Sequence, residues 1–144
     1  FSRDSLASVY PKIDRDLLVS GAILHDIGKI EEYNIGTDID FTDEGRLLGH
    51  IILGVRLLEK YINKRPDFPE ELRIKLLHMV VSHHGRYEWQ SPKRPKFLEA
   101  AILHYLDLID AEVDIFSSAV ESRENPDDHW TSWVKGLERY IFCK

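Results

Sequence analysis

The chain is poor in sulfur. Its one cysteine, Cys143, stands beside the C-terminus, so neither an internal disulfide nor a thiolate metal cluster can form within the chain. Its one methionine, Met79, is internal and the chain opens at Phe1, which leads us to expect a piece of a longer protein. Long apolar runs are also missing. The most apolar stretch, His50 to Leu58, is short and contains Arg56, and the first residues lack the basic-then-apolar pattern of a secretion signal. We therefore expect no membrane partner and a cytoplasmic location. Positive charge is in deficit, with 19 Lys and Arg against 25 Asp and Glu. A polyanionic substrate then needs a local positive site or a metal to offset repulsion. What is present is ordinary for a globular protein: 43% hydrophobic and 31% charged residues over 144 positions. That is enough for one core in a single domain.

The dominant period is helical. Leu17, Leu18, Gly21, Ala22, Leu24 and His25 form a one-sided stripe, with Asp14 as N-cap and Gly28 as stop. A second helix is expected from Thr42 to about Asn63, its stripe made of Leu47, Leu48, Ile51, Ile52, Val55, Leu58 and Tyr61. Pro69 opens a third, with Leu72, Leu76, Met79, Val80 and His83 on one face and Gly85 as its end. A basic loop, Lys93, Arg94 and Lys96, is bracketed by Pro92 and Pro95. The fourth helix carries Phe97, Ala100, Ala101, His104, Asp107, Leu108 and Ala111. After a break at Asn125-Pro126, a last amphipathic helix is expected to turn Trp130, Trp133, Val134, Leu137 and Ile141 to the core. Only Ile35 to Phe41 reads as β structure. The expected fold is all-α, a bundle of about five main helices.

The chemistry collects on these stripes. His25 and Asp26 end the first helix, His50 lies on the apolar side of the second, His83 continues the buried face of the third with His84 next to it, and Asp107 sits mid-stripe in the fourth. A carboxylate on a buried face is costly unless it is paired or binds a metal. Each of these residues alone has an ordinary structural explanation, and His104 reads as a core or supporting residue. Together they turn one side of four helices polar. Imidazole with carboxylate suits Mn, Fe, Co, Zn or Mg.

The segment GAILHDIGKIEEY resembles the signature of the HD-domain metal-dependent phosphohydrolases. EGRLLGH, VVSHHGRYEWQSPKRP and EAAILHYLDLIDAEVD are similar to later motifs of one branch, the YhaM-type 3′-5′ exoribonucleases. The resemblance covers roughly Tyr10 to Val120. It implies a metal-dependent phosphodiesterase acting on single-stranded RNA, with one or two divalent ions, Mn first among them. His25, Asp26 and Asp107 would hold the principal ion. Asp26, the central catalytic residue, would bridge towards a second ion held by His50 and His83, with His84 close by. Lys29, one turn beyond the HD pair, would hold a substrate phosphate. Arg86, Lys93 and Arg94 would form a basic rim for the RNA backbone, and Tyr87 and Trp89 could stack on bases.

The family also implies a further ligating His on an upstream helix and an N-terminal OB-fold. Neither is found before His25, so the whole chain, 1–144, is expected to be an N-terminally truncated HD-type domain with little activity alone. Two alternatives stay open at this point: an HD phosphatase acting on a nucleotide or small phosphomonoester, and a non-catalytic metal- or RNA-binding module. A homo-oligomer is compatible with all three.

Overall fold

The structure, a computed structural model, describes residues 12–36, 38–123, 125 and 127–143. The chain divides into two compact units, Phe1–His104 and Tyr105–Lys144. The first unit begins with helix α1, Arg15–Leu24, where the Asp14 carboxylate accepts the Leu17 N–H at 3.0 Å. This is the N-cap the sequence led us to expect. The helix stops at the HD pair rather than at Gly28, and a turn leads into the short helix α2, Lys29–Glu32. An antiparallel hairpin follows, β1 (Tyr33–Ile35) and β2 (Ile39–Phe41), in the register Tyr33↔Phe41, Asn34↔Asp40 and Ile35↔Ile39. Thr42 caps α3, Asp43–Ile62, by accepting the Gly45 N–H at 2.8 Å. Helix α4, Glu70–Ser82, starts behind Pro69 as expected. Helix α5, Leu98–Glu121, starts in the first unit and ends in the second.

The core of the first unit is assembled from Leu17, Leu18, Leu58, Ile62, Leu76, Met79, Val80, Ala100 and Leu103. The stripes expected for α1 and α4 face it. The stripe expected for α3 does so only in part: Leu47, Leu48, Ile52 and Tyr61 are exposed, while Leu53 is fully buried. The cause is Gly49, whose φ of +71° and ψ of 161° break the helix. A left-handed φ is open to Gly at little cost, and the break resets the helical phase.

The second unit corrects a larger expectation. Among the described residues, no helix forms over 127–143. The strand-like pairs Trp130↔Phe142 and Val134↔Arg139 are bridged instead, and Thr131 donates its N–H to the Ile141 carbonyl at 2.9 Å. Trp130 packs edge-on against Phe142 at 5.1 Å and Trp133 against Tyr140 at 5.2 Å. Trp130 and Trp133 are exposed; Thr131, Leu137 and Ile141 are the buried residues. Aromatic and β-branched residues favour such cross-strand pairs, and Gly136 with Glu138 (φ +51°) sits in the turn. Among the described residues, four helices of ten residues or more are therefore seen, and the protein is mostly helical with a two-stranded sheet. No helix among them is long and apolar enough to cross a membrane.

Candidate metal centre

The site grows from the turn that ends α1. His25 is the C-cap, and its Nδ1 lies 3.0 Å from the Ala22 carbonyl. Asp26 follows, with its Oδ2 accepting from Lys29 Nζ at 2.6 Å and lying 3.5 Å from His25 Nε2. Its other oxygen, Oδ1, lies 3.4 Å from His50 Nε2 and 3.6 Å from His83 Nε2. His50 opens the part of α3 beyond the Gly49 break. Its backbone N–H donates to Glu32 Oε1 at 2.9 Å, and its Nδ1 stands 3.5 Å from the same oxygen.

His83 caps α4 and is 1% exposed. Its Nδ1 meets the Val80 carbonyl at 2.7 Å, and His84 Nδ1 meets the Trp89 carbonyl at 2.9 Å. Gly85, with φ of +75°, lets the His104 ring close in: a Cβ there would lie 2.3 Å from His104 Nε2. His104 Nδ1 in turn meets the His83 carbonyl at 2.8 Å, so this buried residue props the backbone of its neighbour.

The protons follow from these partners. A backbone carbonyl can only accept, so His25, His83 and His84 each carry a proton on Nδ1, and in the neutral ring it is Nε2 that offers the lone pair. His50 Nε2 and His83 Nε2 are 3.4 Å apart. With Asp26 Oδ1 they make a triangle with edges of 3.4, 3.4 and 3.6 Å. Tetrahedral ligation by bonds of about 2.0–2.2 Å sets neighbouring donor atoms roughly 3.3–3.6 Å apart. His84 adds a further donor: the ligand atoms of His50, His83 and His84 all lie within 4.8 Å of one another. Acceptors turned towards a shared point repel unless a cation stands between them. The residues present thus fit a divalent metal in number, kind and spacing.

Burial pushes His83 down to about 4 against the opposing pull of its Val80 bond and the Asp26 charge, and burial likewise lowers His50 despite Asp26 and Glu32. Burial works to raise Asp26. The Lys29 hydrogen bond and the charges of His25, Lys29 and His83 outweigh it, and the carboxyl is held below its usual range. All three shifts have one sign for stability. The unfolded chain binds protons that the folded chain refuses, and for His83 the window runs from the ordinary value of 6.5 down to about 4. We expect the chelator-treated protein to lose unfolding free energy as pH falls through that window, by up to about 1 kcal/mol per pH unit from His83. Urea unfolding at steps across it is the check; a flat profile contradicts the buried neutral imidazole.

Of the residues singled out in the sequence, His25, Asp26, Lys29, His50, His83 and His84 are brought together. Asp107 is half-buried and belongs to the second unit. Arg86, Lys93 and Arg94 are exposed on the segment after α4. The Arg86 guanidinium lies 4.7 Å from the centre of the Trp89 ring, and Trp89 and Tyr87 are both exposed. Glu32 was not anticipated. It is 5% exposed, and nothing in its flanking residues marks it as a buried acid. A glycine directly before His50, inside an otherwise helical pattern, was the available signal.

The HD domain family model matches residues 4–112. The chain is 44% identical over 140 residues to "3′-5′ exoribonuclease YhaM" of Bacillus subtilis (strain 168), covering 97% of this chain and 44% of the relative. The protein of that name from Bacillus pumilus (strain SAFR-032) is 45% identical over the same length, and that of Geobacillus sp. (strain WCH70) 41%. The chain spans less than half the length of these curated relatives. No solved structure matches it at a significant level. The HD pair, the inward lone pairs and the matched length lead to one conclusion: the chain belongs to the HD domain family.

Proposed function

We propose that this chain is the hydrolytic part of a metal-dependent 3′-5′ exoribonuclease that cleaves phosphodiesters of single-stranded RNA. The observation that carries the reading is the triangle of acceptor atoms on Asp26, His50 and His83. The relatives' printed name supplies the polymer. When bound, divalent ions, Mn foremost, lower the pKa of a water and neutralise phosphoryl oxygens as charge builds. The rest falls to the protein's own side chains. Asp26 turns Oδ1 towards His50 and His83 and Oδ2 towards His25, so a single carboxylate serves two neighbouring positions. Lys29, ion-paired to Asp26 and half exposed, is placed to hold a phosphate of the substrate. Arg86, Lys93 and Arg94 provide a basic rim, and the exposed Tyr87 and Trp89 rings offer stacking faces. Asp107 enters through the family motif alone, as ligand to the ion beside His25. An upstream His-bearing helix, an OB-fold and a cytoplasmic location belong to the same proposal.

The test is a 5′-labelled single-stranded RNA with added Mn, run on this chain and on one extended upstream, with Asp26→Ala as control. We expect stepwise shortening from the 3′ end by the extended chain, little by the shorter one, and none with Asp26→Ala. Inert RNA with turnover of a mononucleotide would replace the exonuclease by a small-phosphoester phosphatase. Activity surviving Asp26→Ala would place the chemistry elsewhere.

A further inference from the structure

Three of the four imidazoles around Asp26 share one device: Nδ1 is tied to a backbone carbonyl, and Nε2 is left with its lone pair. His50 is the exception. The break at Gly49 lifts it out of the preceding helical ladder, and the group that meets its Nδ1 is the Glu32 carboxylate, at 3.5 Å. We propose that Glu32 is the positioning residue of the second metal half-site, setting both the tautomer and the direction of His50.

The carboxylate does two things with one oxygen. Oε1 accepts the His50 backbone N–H at 2.9 Å, which caps the restarted helix. The same oxygen faces Nδ1, and a carboxylate there favours the proton on Nδ1. Nε2 then keeps the lone pair it turns towards Asp26 Oδ1 and His83 Nε2, both at 3.4 Å.

Glu32 is itself held firmly. Its side chain is 7% exposed, its carbonyl accepts the Thr42 N–H at 2.9 Å, and Gly45 packs so closely that a Cβ there would lie 2.2 Å from that carbonyl oxygen. The junction of α2 with the first turn of α3 thus holds the backbone that carries this carboxylate.

The inference rests on the metal-centre reading, and the experiment separates the two. Nitrogen-15 NMR of the chelator-treated protein at neutral pH reads the His50 tautomer directly. We expect a proton on Nδ1 in the parent and a mixture with Nε2–H in Glu32→Gln, which keeps an acceptor for the backbone cap but loses the charge. Calorimetric titration with Mn should then show one equivalent weakened by ~10–100-fold in Glu32→Gln, as for loss of a ligand's outer partner. A parent His50 carrying its proton on Nε2 would overturn the proposal without any variant. So would a folded Glu32→Gln that binds both equivalents as the parent does. If the parent shows the Nδ1 proton and binds no Mn, Glu32 keeps its role towards His50 and the metal-centre reading falls.

Discussion

Asp26→Asn is expected to abolish metal binding while costing the chelator-treated protein little stability. The two halves of this result have one origin. Asp26 offers Oδ1 to His50 and His83 and Oδ2 to His25, all within 3.4–3.6 Å of imidazole nitrogens. In Asn the shape survives, but the charge is gone and one oxygen becomes a donor. Loss of a shared ligand should exceed the ~10–100-fold penalty for an outer partner, so we expect at least a 100-fold fall in metal affinity.

Stability should move otherwise. In the absence of a cation the carboxylate faces lone pairs, and an amide N–H in its place can donate to His50 or His83. The ion pair lost with Lys29 is partly exposed, its side chains 49% and 30% accessible, and such pairs contribute little. Metal at 100 times Kd stabilises the parent by about 2.7 kcal/mol, roughly 10 °C in Tm for a chain of this size. The variant should show no metal-dependent rise. A metal-dependent Tm surviving in Asp26→Asn would remove Asp26 from the centre. A large loss of stability without metal would make it a folding residue instead.

The site was more legible in the sequence than the fold's last element, and the reason is physical. Periodicity places His83 in line with the buried Met79 and Val80, but not His50, whose expected stripe includes the exposed Leu47, Leu48 and Ile52 on either side of the Gly49 break. It could not reveal Glu32, whose burial depends on a tertiary approach between α2 and the first turn of α3. At the C-terminus, Trp130, Trp133, Leu137 and Ile141 recur at helical spacing by coincidence. The same residues are strong strand formers with a glycine between them, and cross-strand ring pairs decided the outcome. His104 was rightly read as a core or supporting residue; its bond to the His83 carbonyl shows what it supports.

Gly28→Ala should strongly destabilise the first unit. The residue has an ordinary helical φ of −65°, so conformational freedom is not the issue. Space is: a Cβ would fall 1.9 Å from the His50 carbonyl oxygen and 2.4 Å from the Gly54 nitrogen. Both are backbone atoms in the middle of α3, and a backbone cannot swing aside as a side-chain tip can. Restoring contact distance requires the turn that bears Asp26 and Lys29 to move off α3 by more than 1 Å, against an interior packed at crystal density.

Overpacking of this kind costs about 3 kcal/mol or more, a large share of a typical domain's stability. Because the same contact sets the distance from Asp26 to His50, any folded fraction should also bind metal poorly. Gly36→Ala is the matched control, since the nearest atom to its Cβ would be the Asp38 carbonyl oxygen at 3.9 Å. It should change stability by no more than about 0.5 kcal/mol. Thermal unfolding of the two variants, each with and without Mn, makes the comparison. If Gly28→Ala melts with the parent and keeps its metal response, the close approach of the HD turn to α3 is not what holds the centre together.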